Sequence, residues 1–171
     1  MTGTVDPRGD PIGSDGTPDT DLLALCQQRE SWRGKRERVA FTNGCFDLLH
    51  TGHLTLLERA RAAADHLIVG INSDASVRAL KGPRRPVLPS AERAEALLAL
   101  EPVDRVVVYG DPTPLALIEA LLPDVLVKGA DWPLDQIVGR EVVEEMGGSV
   151  LRVEILPNRS TTRLIDQMSR A

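Results

Sequence analysis

Short runs that are almost purely apolar return at intervals along this chain, and that recurrence limits what it can fold into. Val39–Thr42, Leu67–Ile71, Arg105–Tyr109, Val125–Val127 and Val150–Leu156 read as strands. Strands that stay apolar at successive positions, and not only at every second one, have both faces covered. Between them lie stretches with helical spacing: Gly52–Ala64, Ser90–Leu100, Pro114–Leu122, Gly139–Met146 and Ser160–Met168. A further helix, from Asp21 to about Arg33, precedes the first strand and ends in the basic run Arg33-Gly34-Lys35-Arg36. Ser90 is expected to cap its helix, and Asp104 and Asp124 to open strands.

Strands alternating with helices predict a single α/β domain: a doubly wound, Rossmann-like parallel sheet of about five strands over residues 21–171. Aromatic residues are only 3% of the chain, so the core must be aliphatic. Residues 1–20 are rich in Gly, Pro, Asp and Thr and nearly empty of large apolar side chains, the profile of a disordered tail. A net charge of −5 argues against general affinity for nucleic acid or anionic membrane. No apolar run is long enough to span a bilayer, no apolar signal core stands at the N-terminus, and two cysteines are too few for a disulfide framework. A cytoplasmic protein is the expectation.

In an open α/β sheet the ligand sits beyond the carboxyl ends of the strands. Here those ends are polar: Asn43-Gly44, Asn72-Ser73-Asp74, Tyr109-Gly110-Asp111, Lys128-Gly129 and Pro157-Asn158. After the first strand comes Asn43-Gly44-Cys45-Phe46-Asp47-Leu48-Leu49-His50-Thr51-Gly52-His53, which is neither the three-glycine dinucleotide fingerprint nor a Walker loop. It offers a tight turn at Gly44, then a helix start with His50 and His53 three residues apart on one face. Free N–H groups beside two imidazoles make a site for phosphate, with donors placed to stabilise growing charge. Gly52 lets a ligand approach the backbone closely. Two other readings stand beside this one. The pair could bind a metal, though a third ligand is wanting and His66 looks remote, or it could simply cap a helix. No metal site is expected.

Four cations and no acid lie between Ala75 and Ala91, as a basic loop Arg78–Arg85. It is either a solvated loop or a polyphosphate clamp, with Lys81 beside Gly82 the foremost candidate. Lys128-Gly129-Ala130-Asp131-Trp132 follows the fourth strand; Lys128 and Asp131 read as ligand contacts, and Trp132 as a wall or as a core-packing residue. The hydroxyls of Ser160, Thr161 and Thr162 either cap the last helix or hold a phosphate with its N–H groups. Cys45 reads as a small buried residue, because no His–Asp pair serves it as a nucleophile.

With these segments laid out, the chain resembles the nucleotidyltransferases that carry an H-x-G-H signature, here His50-Thr51-Gly52-His53. Among them it is most similar to the adenylyltransferases that activate D-glycero-β-D-manno-heptose 1-phosphate. The likeness runs through Phe41–His53, Val69–Ser76, Leu80-Lys81-Gly82, Arg85-Pro86-Val87, Thr113-Pro114, Pro123–Trp132 and Ser160-Thr161-Thr162.

The resemblance implies transfer of AMP from ATP to a heptose 1-phosphate, giving ADP-heptose and pyrophosphate, with Mg²⁺ accompanying ATP. It implies that His50, His53 and Lys81 are catalytic. Asn43, Gly44, Cys45, Phe46, Gly52, Ser160, Thr161 and Thr162 would bind nucleotide. Asp74, Lys128, Asp131 and Trp132 would bind substrate, and a homodimer is expected. The alternatives are a cytidylyltransferase acting on glycerol phosphate or a similar alcohol phosphate, and a nucleotide-binding module without turnover.

Overall fold

The computed structural model describes residues 22–154. Residues 1–21 and 155–171 lie outside that description, and with them the expected tail, the end of the last strand and the Ser160–Met168 helix. The described chain runs α1 (Leu22–Gly34), β1 (Val39–Gly44), α2 (Thr51–Ala62), β2 (His66–Asn72), α3 (Asp74–Lys81), α4 (Ser90–Leu98), β3 (Arg105–Tyr109), α5 (Leu115–Leu121), β4 (Val125–Gly129), α6 (Arg140–Glu145) and β5 (Ser149–Val153), with a 3-10 turn at Leu134–Gln136. All four strand pairings are parallel, in the order β3-β2-β1-β4-β5. The α/β sheet expected from the apolar runs is therefore the observed one.

Continuous apolar strands serve two cores at once. Ala40, Val69, Val106 and Val127 face a layer built by Leu56 and Leu57 of α2 with Ala94 and Leu97 of α4. Their neighbours Phe41, Ile68, Val107 and Leu126 face Leu25 and Trp32 of α1, Ile118 of α5 and Val143 of α6. This is the period of two that puts successive strand residues on opposite faces. Strand order reverses between β1 and β4, so the crevice beyond their carboxyl ends is the topological switch point.

Two expectations are corrected. The first half of the supposed basic loop is helix α3, which carries Arg78 and Lys81 in its last turn. Its local signals are conventional. Ser73 Oγ accepts from the Ser76 N–H at 3.2 Å, Asp74 lies in the first turn, and Gly82 closes the helix at φ 95°. Four clustered cations masked those signals. Ser90 is the first residue of α4 and not its cap; Pro89 occupies the cap position without a side-chain hydrogen bond.

Candidate active site

The loop from β1 into α2 owes its shape to two non-glycine residues in the left-handed region, Phe46 at φ 46° and Leu48 at φ 54°. Each such residue costs on the order of 1–3 kcal/mol unless its surroundings fix it. Asp47, between them and 1% exposed, supplies the fixing. Its carboxylate accepts from Arg85 Nε at 2.6 Å and from the Val87 and Leu88 N–H groups at 3.0 and 3.1 Å. Burial alone would push this carboxyl up, but those donors hold it below the usual carboxylate range. Arg85 is therefore spent on structure. Gly44 is not the tight turn; it makes room for Phe46, whose ring would stand 3.3 Å from a Cβ there.

Arg93, 1% exposed on α4, ties the loop to the sheet. It donates to the carbonyls of Cys45 (2.6 Å), Asn72 (2.8 Å) and Leu88 (3.0 Å), and to Asp74 Oδ1 at 2.7 Å. The sequence offered one signal for it: an arginine four residues before Leu97, on the buried stripe of the helix. Asp74, expected as a substrate contact, has one carboxylate oxygen engaged by this anchor.

His50 is the N-cap of α2. Its Nδ1 accepts from the N–H groups of Gly52 at 3.1 Å and His53 at 3.4 Å. Those two N–H groups were expected to be free for a phosphate, and they are not. The compensation is chemical: an Nδ1 that accepts leaves the neutral ring its proton on Nε2, which fixes the tautomer. The two imidazoles stack with centroids 3.7 Å apart at 20°, and Phe46 lies 5.0 Å from His53. Burial lowers His50, and burial with the neighbouring His50 takes His53 from its ordinary 6.5 to about 4. At neutral pH the pair is uncharged.

The remaining strand ends form one connected network. Lys128 Nζ makes a short hydrogen bond to Asn43 Oδ1, and Asn43 Nδ2 donates to the Tyr109 hydroxyl at 2.9 Å. Tyr109 also bonds the side chain of Asn72. Asn72 Nδ2 donates to Ser76 Oγ at 3.1 Å, and the Cys45 thiol lies 3.8 Å from Asn72 Oδ1. Burial raises the thiol against the pull of Lys81, Arg93 and Arg85, so the charge of Lys81 is felt at this loop although its side chain is exposed. Burial also draws Lys128 down to about 8, opposed by Asp131. Trp132 is 50% exposed, its ring centroid 6.0 Å from Lys128 Nζ, so it is not a core residue. Ser160, Thr161 and Thr162 lie outside the described residues. Tyr109, the only tyrosine of the chain, was legible merely as a polar strand end.

Residues 41–166 match the cytidylyltransferase-like family. The chain belongs to this family. Its reaction class is accordingly nucleotidyl transfer. Among similar proteins, the bifunctional protein HldE of Paramagnetospirillum magneticum is 52% identical over 148 residues, covering 86% of this chain and 30% of that protein. HldE of Rhodopseudomonas palustris is 56% identical over 156 residues, 91% of this chain and 30% of the relative. The chain thus spans about a third of the length of these relatives. A solved structure described as a lipopolysaccharide core biosynthesis protein from Thermoplasma volcanium superposes with a TM-score of 0.58 at 24% identity, covering 70% of this chain and 97% of that one. At that identity the likeness speaks for the fold alone. The H-x-G-H histidines, the loop that shapes them and the strand-end network all fall within the matched cytidylyltransferase-like region. Among the described residues no helix is long and apolar enough to cross a membrane.

Proposed function

We propose that the chain transfers AMP from ATP to the phosphate of a heptose 1-phosphate. A phosphate oxygen of the sugar attacks the α-phosphorus, the bond to the β-phosphate oxygen breaks, and pyrophosphate leaves with the electron pair. The acceptor is already an anion, so catalysis needs positioning and charge stabilisation more than a strong base.

The observation that carries this reading is the stacked, neutral His50–His53 pair at the start of α2. A neutral imidazole donates a hydrogen bond to developing phosphate charge while adding no cation that would hold the product anions. Lys81 would meet the β- and γ-phosphates. Asn43, Gly44, Cys45, Phe46 and Gly52, with Ser160, Thr161 and Thr162, would line the nucleotide. Lys128, Asp131, Trp132 and Asp74 belong to the acceptor side in the same reading. Mg²⁺ would enter on the phosphate oxygens of ATP. Such an ion would stay largely hydrated and be carried by substrate, without a dedicated set of protein ligands. A homodimer in the cytoplasm completes the proposal, and light scattering would read the oligomeric state.

Pyrophosphate release, screened with nucleoside triphosphates against sugar 1-phosphates and alcohol phosphates, tests the reading. ATP should exceed CTP by at least about tenfold in kcat/KM, roughly 1.4 kcal/mol of transition-state stabilisation. Heptose 1-phosphate should react, while the unphosphorylated sugar fails for want of the anionic nucleophile. Preference for CTP with glycerol phosphate would overturn the substrate and leave nucleotidyl transfer standing. Tight nucleotide binding without pyrophosphate release would overturn the catalytic role.

A further inference from the structure

The switch point of the sheet lies between β1 and β4, and one side chain from each strand meets there. Asn43 closes the polar end of β1, and Lys128 that of β4. Lys128 Nζ donates to Asn43 Oδ1 and lies 3.5 Å from the Asn43 carbonyl oxygen. The amide is held from its other side, where Nδ2 donates to the Tyr109 hydroxyl. Tyr109 stands on β3 and Asn43 on β1, with β2 between them. The residue of β2 in register with Asn43 is Gly70. A Cβ at position 70 would come within 3.3 Å of the Asn43 Cβ and 2.9 Å of the Phe41 ring. Glycine thus gives Phe41 and Asn43 the room they occupy on the face that Tyr109 shares. Only one amide orientation satisfies both neighbours, since the flipped one would set an NH₂ group against the ammonium.

We propose that Asn43 is a positioning residue, whose side-chain oxygen fixes the Lys128 ammonium over the switch point to receive the phosphate of an anionic acceptor, with Tyr109 setting the amide. What the ammonium meets rests on the function proposed above; the contact itself does not.

The electrostatics explain why such a support is needed. Burial works against the cation, and without an acceptor the Lys128 side chain loses proton affinity near the pH at which it must act. Among the described residues, two charged groups stand near it besides the amide. Asp131, on the loop after β4, favours the cation. Arg152, in register on β5, is drawn to the Ala130 carbonyl at 2.5 Å. The Trp132 ring borders the same ammonium. Among the described residues Asn43 is the group that holds it by direct hydrogen bonding, and it does so without neutralising the charge, as a carboxylate would.

The test follows the Lys128 ε-carbon resonance through neutral and alkaline pH in protein with isotope-labelled lysine, Lys128→Met supplying the assignment. Asn43→Ala should move the Lys128 titration to lower pH, and Asn43→Asp, which keeps an oxygen and adds a charge, should move it to higher pH. Tyr109→Phe should shift it in the Asn43→Ala direction by less; no shift removes Tyr109 from the proposal. In turnover, Asn43→Ala should lower kcat/KM for the acceptor on the order of ten- to a hundredfold, the size of one hydrogen bond to a charged group. Its alkaline limb should fall at lower pH, in step with the Lys128 titration. A melting temperature that drops while the Lys128 titration stays in place would make Asn43 merely structural and overturn the proposal. If wild-type protein released no pyrophosphate yet the titration still moved, the function would fail and this contact would stand.

Discussion

The two edges of the sheet are built on opposite principles. At the amino edge, carboxylates accept from the backbone where strands begin. Asp65 takes the Arg38 N–H at 2.7 Å, Asp104 the Leu67 N–H at 2.8 Å, and Asp124 the Val39 N–H at 2.7 Å. Asp124 is also gripped by Arg29, 2% exposed, which donates to the Leu121 and Leu122 carbonyls as well. At the carboxyl edge the strand-end side chains are amides, a phenol, a thiol and a lysine, neutral or poised to become so. The histidines repeat the contrast. His66 at the amino edge stacks on Trp32 and bonds Glu37 at 3.0 Å, whereas His50 and His53 face each other and an aromatic ring, with no acid among the described residues to hold a charge. The amino edge pairs its charges where strands begin; the carboxyl edge pairs Asp47 with Arg85 and Asp74 with Arg93 beneath the loop, and leaves its strand-end side chains and two histidines outside such pairs.

The largest effect that separates the edges should come from the histidine pair. Losing one preorganised donor typically costs about 10²–10³ in rate. Since His50 also caps α2, its replacement by alanine would mix that loss with about 0.5–2 kcal/mol of helix stability. His50→Asn keeps a capping oxygen and removes the ring. Turnover should therefore fall by about 10²–10³ while the melting temperature holds. His53→Ala should lose turnover to the same extent. Near-wild-type rates in either variant would place the chemistry elsewhere.

Arg29→Met is the counterpart at the amino edge. It leaves two carbonyls without their donor and a carboxylate without its cation, and removing one partner of a buried pair costs about 3 kcal/mol. Asp124 is 35% exposed, so solvent softens the loss. Denaturant unfolding should show the destabilisation while kcat and KM at low temperature stay unchanged. A kinetic defect in a folded Arg29→Met protein would mean that the two edges are coupled.

How much of this was readable follows the same division. The strands were legible because parallel strands buried on both faces leave continuous apolar runs, and Asp104 and Asp124 were recognised at strand starts. His50 and His53 were legible because two of the three histidines of the chain bracket a glycine after a strand and its turn, and Lys128 because it stands at the carboxyl end of an apolar run. Asn43 and Lys128 were assigned to different ligands, however, since 85 residues separate them and no local spacing reports a contact across a switch point. Arg93 and Arg85 failed for the opposite reason: the one sits inside a helical stripe and the other inside a basic cluster, and only tertiary contact shows both to be anchors. Nor does spacing reveal that His50 turns Nδ1 back onto its own helix.

Acid should expose the cost of keeping the carboxyl-edge histidines uncharged. The folded His53 titrates at about 4 against an ordinary 6.5, so the unfolded chain binds its proton first as pH falls. Stability should then decline from about pH 6.5 towards pH 4, His50 adding in the same direction. Melting temperatures across that window should fall less steeply in His53→Ala. An equal slope in both proteins would remove His53 as its source.

The smallest effect should be found at Asp65. Its carboxylate makes one hydrogen bond, to the Arg38 N–H just before β1, at a position open to water. A net hydrogen bond of this kind contributes about 0.5–1.5 kcal/mol, and exposure puts it at the lower end because water can replace the lost acceptor. Asp65→Ala should lower the melting temperature slightly and leave both the pH profile and the nucleotide dependence of turnover untouched. That pairing of a small stability loss with silent kinetics is what an edge used only for folding predicts. A change in the alkaline limb of activity in this variant would mean that its charge reaches Lys128 through the sheet, and the separation of the two edges would have to be given up.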